Sequence, residues 1–279
     1  MSSSNHLHPE DYMEPVCLFC GGPYGRVPDV QPVPQQQIID KLDRHLSRRD
    51  FPAAERHLLY WMDEAVRGKD LRGQLMLSNE LLGFYRRAEQ RAPAFAWTEK
   101  ALALLEELDM KNSVSAGTTF VNAATVYNAF GEHETALKYY EQAKALYESF
   151  PEVPQHLLGG LYNNMAQACQ ELGHYDDAFA LYGLAMKTME KVPGGVLEQA
   201  ITCLNMADAV AAEQGLEEGE SRIFELLDQA FAYLQDPSAP RDGHYAFVCE
   251  KCAPGFEYFG YFAAAQELRE AAEQIYERS

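Results

Sequence analysis

Two pairs of cysteines have the spacing of metal ligands, and they are the residues in this sequence best suited to chemistry. Cys17 and Cys20 are followed by Gly21, and Cys249 and Cys252 repeat the Cys-x-x-Cys spacing near the far end of the chain. Such a loop lets both thiolates face one ion, and the glycine relieves the tight turn behind it. The four thiolates predict one structural zinc ion that ties the N-terminal segment to the last helices. Zinc is the single cofactor that the sequence suggests.

Other roles for the cysteines remain open. Cys249 and Cys252 are three residues apart in a predicted helix, so they share one face and are equally explained as core residues. Cys17 and Cys20 have no such helix, and they could also bind metal between two molecules. Cys169 and Cys203 lie inside predicted helices and are expected to pack in the core. No βαβ pattern surrounds either pair, which disfavours a thioredoxin-like redox role.

The sequence has no residue pattern typical of catalysis. It contains no phosphate-binding loop, no Gly-x-Ser-x-Gly nucleophile elbow and no His-Glu-x-x-His zinc helix. The acidic pairs at 106–107 and 176–177 fall at helix starts or on outer helix faces, where carboxylates complement the helix dipole or face water. We therefore expect a protein that is not an enzyme.

Composition and charge limit the classes of partner that we expect this protein to bind. The chain is 47% hydrophobic and its formal net charge is −19, with 28 acidic and 10 basic residues between positions 101 and 279. Such a field repels phosphates and anionic lipid, so neither nucleic acid nor a membrane is expected as a partner. The first residues resemble no secretory signal, and a cytoplasmic location is expected. The acidic surface serves either solubility or the attraction of a basic partner.

The elements that must position these residues are given by an internal repeat. Asn79, Asn122, Asn164 and Asn205 occur in similar surroundings at separations of 43, 42 and 41 residues. A period of this length is typical of repeats built from a pair of helices. Four copies of one helical unit are therefore in register.

A second half-repeat follows each marker asparagine. Ala136 lies five positions after Gly131, and Ala143 lies seven positions after Ala136; Gly173, Ala178 and Ala185 have the same spacing. Alanines on one face let two antiparallel helices approach closely, the intervening tyrosines fill the gap between repeats, and glycine takes the left-handed conformation that ends the first helix.

This pattern resembles the tetratricopeptide repeat, and its long period resembles the kinesin-light-chain type. The resemblance covers residues 34–279 and implies an all-α, right-handed superhelical solenoid of about six helix pairs, preceded by a proline- and glycine-rich tail over residues 1–33. Two repeats depart from the pattern. Ala88 occupies the place of a loop glycine in the second, and Gly215 comes one residue late in the fifth.

The resemblance implies a protein- or peptide-binding adaptor that uses the concave face of the array. There an asparagine can donate and accept at once, matching the backbone of an extended peptide. The residues expected on this face are Asn79, Asn122, Asn163, Asn164, Asn205, Gln167, Gln170, Thr125, Asn128, Tyr85 and Arg86. Two alternatives stay open. The asparagines could instead bridge helices inside the solenoid, or the chain could be an assembly or dimerisation scaffold whose groove holds its own tail.

Overall fold

A computed structural model describes residues 30–278. They form twelve α-helices and no strand. The helices pair in chain order as six helical hairpins, which confirms the all-α repeat array. Residues 17 and 20 of the predicted zinc site lie outside the described part. The chain divides into one unit that ends at Asn122 and a second that begins at Ala123, and each unit is considered by itself.

The first unit contains four complete helices and the start of a fifth. These are α1 (Gln35–Ser47), α2 (Phe51–Arg67), α3 (Leu71–Arg87), α4 (Arg91–Glu107) and the first part of α5 (Val114–Ala129). Each of α1 to α3 packs against the helix that follows it. Apolar residues at helical spacing, such as Ile38 and Leu42 or Leu58 and Met62, are almost fully buried between these helices.

Aspartates begin two helices of the first unit. Asp50 caps α2 by accepting a hydrogen bond from the Ala53 N–H, and Asp70 caps α3 through the Gly73 N–H. The second carboxylate oxygen of Asp70 accepts the Val33 N–H at 2.9 Å. The segment just before α1, which the sequence analysis assigned to the tail, is therefore fastened to the turn between α2 and α3.

The second unit contains the remainder of α5 and seven further helices. These are α6 (His133–Ser149), α7 (Gln155–Glu171), α8 (Tyr175–Met189), α9 (Val196–Gln214), α10 (Glu220–Leu234), α11 (Gly243–Tyr258) and α12 (Phe262–Tyr276). The predicted packing alanines are completely buried, namely Ala136, Ala143, Ala178 and Ala185. Tyr140 and Tyr182, which the repeat pattern places between them, are buried as well. The small residues thus allow the close helix approach that the sequence predicted, with tyrosine rings filling the space.

The turns that end the first helix of each hairpin use the left-handed backbone conformation. In the second unit glycine occupies it, and Gly173 (φ +74°) shows the pattern: its successor His174 donates its N–H to the Cys169 carbonyl. In the first unit residues with side chains occupy it: Arg49 and Glu89 follow the first helices of their hairpins, and Lys69 and Asp109 take the same conformation after the second helices, all with φ near +54°. The left-handed residue of the second predicted repeat is therefore Glu89. Ala88, where a glycine was expected, has φ −81° and needs none.

Among the helices of the described residues, none is long and apolar enough to cross a bilayer.

Candidate functional site

Three polar side chains join α3 to α5 within the first unit. Asn79 donates its side-chain N–H groups to the Leu75 carbonyl (2.9 Å) and to Thr119 Oγ1 (3.1 Å). Its side-chain carbonyl accepts the Asn122 amide at 2.8 Å. Asn79 is only 4% exposed, and both ends of its amide are already bonded inside the protein. We call Asn79, Thr119 and Asn122 the first bridge.

A similar arrangement joins α7 to α9 within the second unit, except that here the threonine hydroxyl donates to the asparagine, whereas Thr119 accepts from it. Asn163 Oδ1 accepts the Asn205 amide at 3.0 Å and the Thr202 hydroxyl at 3.2 Å. We call these three residues the second bridge. Its members lie 84, 83 and 83 residues after their counterparts in the first bridge. The bridging asparagine of α7 is Asn163, whereas Asn164, the marker chosen from the repeat, makes no side-chain hydrogen bond among the described residues.

Beside the second bridge, amide side chains from three helices surround an open cavity of about 300 Å³. Asn128 comes from α5, Gln167 and Gln170 come from α7, and Asn205 comes from α9. Four of the predicted binding residues are therefore brought together. Because Gln167 and Gln170 are three residues apart on one helix, they face the same side.

Three of these amides are held by neighbours, since Asn205 already donates to Asn163. The Tyr182 hydroxyl donates to Gln170 Oε1 at 2.9 Å, which turns the Gln170 N–H₂ group away from the tyrosine. Asn128 Oδ1 lies 2.7 Å from His133 Nδ1, and since a carbonyl oxygen accepts, the ring proton is on Nδ1. Gln167 makes no side-chain hydrogen bond within residues 30–278. The cavity thus offers three amides held by neighbours, Asn128, Gln170 and Asn205, and a fourth, Gln167, whose donors and acceptor are unused among the described residues.

Carboxylates complete the cavity wall. Glu171 and Asp208 line it together with His133, and none of its lining residues is lysine or arginine. The Asp208 side chain is exposed overall, but surrounding protein atoms exclude part of the water from its carboxyl group. This partial loss of solvent raises the pKa of Asp208 to about 6. It is therefore ionised at neutral pH. The cavity can bond a peptide backbone and can balance a positive charge.

The remaining predicted residues are placed elsewhere. Tyr85 is 6% exposed and its hydroxyl donates to Glu55 Oε1 at 2.7 Å; burial and this carboxylate raise the tyrosine pKa to about 12. Arg86 is half-buried near the end of α3, and Thr125 is half-buried on α5. Neither lines the cavity. Asn79 and Asn122 belong to the first bridge.

Three further residues that line the cavity, His133, Glu171 and Asp208, were not predicted from the sequence. Asp208 follows Asn205 by three residues and Glu171 follows Gln167 by four, so both share a helix face with a predicted residue. That periodicity was a usable signal. His133 is the first residue of α6, and its position beside Asn128 depends on how the turn between the helices folds, which no local pattern indicates.

The cysteines of α11 lie in the core. Cys249 and Cys252 are 0% and 1% exposed within a large apolar cluster formed by α9 to α12. Burial raises the pKa of both thiols, which opposes the thiolate form that binds zinc. No group of three histidine, cysteine, aspartate or glutamate side chains within residues 30–278 could hold a metal ion. Since Cys17 and Cys20 lie outside the described residues, the four-cysteine site stays a prediction. Cys169 and Cys203 are buried, as expected.

Comparison with known proteins shows what this chain is similar to. Residues 74–149 match the family model of the tetratricopeptide repeat. The fold is that of a tetratricopeptide-repeat protein resembling the kinesin-light-chain type, as the sequence predicted. Among curated proteins, none matches the chain.

Three solved structures are similar to this chain. One structure contains nearly identical TPR-like repeats of a kinesin light chain from Podosopora anserina. Its sequence is 19% identical to this chain, with a TM-score of 0.50 over 74% of this chain and 97% of that one. BtubC (BKLC) from P. vanneervenii is 15% identical, with a TM-score of 0.47 over 88% of this chain and 91% of that one. A Rap protein complexed with competence and sporulation factor is 14% identical, with a TM-score of 0.48 over 88% and 77% of the respective chains.

Proposed function

We propose that this protein is a non-enzymatic adaptor that binds an extended segment of another polypeptide in the cavity between α5, α7 and α9. The observation that carries the proposal is the convergence of Asn128, Gln167, Gln170 and Asn205 on one open cavity. The tetratricopeptide repeats of residues 74–149 support a protein or peptide partner.

The chemistry of amides explains why a peptide suits this cavity. An extended peptide presents N–H and C=O groups alternately along its length, and each side-chain amide provides both a donor and an acceptor. Gln170 and Asn205 are oriented by Tyr182 and Asn163, so they lose little conformational freedom on binding. Gln167 is unbonded within the described residues and is therefore available to the ligand.

The proposal is tested by selecting binders from a randomised linear peptide library on the full chain and measuring their affinity by fluorescence anisotropy. Because a neutral hydrogen bond contributes about 0.5–1.5 kcal/mol, Gln167→Ala should weaken binding about three- to tenfold. Gln274→Ala is the matched control, since this exposed glutamine of α12 also lacks a side-chain hydrogen bond among the described residues. Its affinity should equal that of the unchanged protein.

Two outcomes contradict the proposal. Peptides that bind the Gln167→Ala variant and the unchanged protein equally well would place the binding site elsewhere. A chain that selects no peptide and forms a stable oligomer in light scattering would favour the assembly scaffold that the sequence left as an alternative.

A further inference from the structure

A second cavity, of about 360 Å³, adjoins the amide-lined one, and Asp208 lines both. Its other walls are apolar: Ala211 and Ala212 of α9, Leu216 just beyond that helix, and Tyr258 at the end of α11. Leu216 is 54% and Tyr258 is 69% exposed. Along one face of α9, the amide of Asn205 is thus followed by the carboxylate of Asp208 and then by the apolar residues Ala211 and Ala212.

The spacing along α9 suits an extended peptide. Asp208 and Ala212 are four residues apart and therefore about 6 Å apart along the helix axis. In an extended chain, residues two positions apart are separated by about 6.6 Å and point to the same side. If a ligand lying along α9 places one side chain at Asp208, its side chain two positions further on would therefore lie against the apolar walls.

The charge of this face favours a cation at Asp208. Within residues 30–278 the Asp208 carboxylate has neither an ion-pair partner nor a hydrogen bond, and Glu171 adds a second negative charge to the cavity. Lysine and arginine line neither cavity. A carboxylate that is crowded by protein but unpaired gains most from a ligand that brings a positive charge.

The protein's own N-terminal segment is a poor occupant by the same criterion. Residues 1–29 contain four acidic residues and a single arginine. The face of α9 lies in a strongly acidic part of the chain, so this segment would be repelled. Charge complementarity instead favours a basic segment of a different protein.

We infer that the ligand carries a lysine or arginine two positions from a large apolar residue, with the cation at Asp208 and the apolar side chain against Leu216 and Tyr258. This inference rests on the proposed function, because it assigns the ligand class of the same site. It also explains why two large apolar side chains stay exposed beside a carboxylate without an ion pair.

The test repeats the library selection with variants of the full chain. The unchanged protein should enrich lysine or arginine two positions from an apolar residue. Asp208→Asn should lose the basic preference and weaken the selected peptides about tenfold, as expected for a charge-assisted hydrogen bond. Leu216→Ser should lose only the apolar preference, whereas Leu184→Ser, a change of another exposed leucine of the same unit, should alter neither.

The outcomes separate this inference from the proposed function. Peptides that are sensitive to Gln167→Ala but lack a basic residue would overturn the inference and leave the binding function standing. Failure to select any peptide sensitive to Gln167→Ala would overturn both. A synthetic peptide of residues 1–29 serves as a competitor; if it displaces the selected ligands at equal concentration, the occupant is the protein's own segment and the inference is wrong.

Discussion

The two bridges use the same residue types in different surroundings. Asn79 is buried, and its amide bonds both Thr119 and Asn122 without reaching the surface. Asn163 accepts hydrogen bonds from both Thr202 and Asn205, and Asn205 also lines an open cavity. One helix-bridging motif is therefore enclosed in the first unit and reaches an open cavity in the second. A repeat position has no single role across an array.

The largest expected difference between the bridges is in stability. Asn79→Ala should lower the free energy of unfolding by about 3 kcal/mol, because the buried Asn79 amide loses its hydrogen bonds to Leu75, Thr119 and Asn122 and the buried Thr119 hydroxyl loses this donor. Asn163→Ala should cost about 1 kcal/mol, since Asn205 beside the cavity can bond water instead. Urea unfolding followed by circular dichroism measures both. Equal losses would show that the two bridges do not differ in solvent access.

The turns offer a second comparison, with an effect of about 1 kcal/mol. Gly173→Ala should destabilise the protein by about that amount, because an alanine there is forced into the left-handed conformation. A Cβ at Gly173 would meet no atom within 4 Å, so steric clash does not contribute. Glu89→Gly should instead stabilise by about 0.5 kcal/mol, as relief of backbone strain exceeds the added entropy of the unfolded chain. Thermal unfolding midpoints that move in the same direction for both variants would refute this account.

A pH-dependent difference is expected at Asp208. The folded protein raises the pKa of Asp208 to about 6, so the ionised carboxylate opposes folding above pH 6. This destabilisation disappears as the pH falls below about 4, because the carboxyl group is then protonated in both the folded and the unfolded protein. Asp208→Asn should therefore be more stable than the unchanged protein at pH 7.5, by about 1 kcal/mol or less since solvent reaches the side chain. The two proteins should have equal stability near pH 4. A constant difference across this range would contradict the assignment.

The smallest effect is expected at Gln167. Gln167→Ala should change the free energy of unfolding by less than about 0.5 kcal/mol, as the side chain has no hydrogen bond to lose within the described residues. Its influence should be confined to ligand binding. A substantial loss of stability in urea would identify Gln167 as a packing residue and weaken its place in the proposed site.

The helices and their buried faces were predictable because alanine and tyrosine recur at fixed spacing. The identity of the bridging asparagine was not. Asn163 and Asn164 are neighbours, the repeat period varies by one residue, and a shift of one residue turns a side chain by about 100° around the helix. The link between Asp208 and the apolar walls depends on how α9 and α11 pack, which sequence spacing does not indicate.

The recurrence of the bridges also bears on how such a chain could lengthen or shorten during evolution. A recombination that joins residue 79 directly to residue 164 removes 84 residues and leaves an asparagine followed, at the same distances, by Thr202 and Asn205. Loss of a single repeat would instead leave α7 as the helix that has to bridge to Asn79. The residue three positions before Asn163 in α7 is Gly160, so no threonine would be available to complete that bridge. Duplications or deletions of two helical hairpins at a time would therefore be tolerated more readily than those of one.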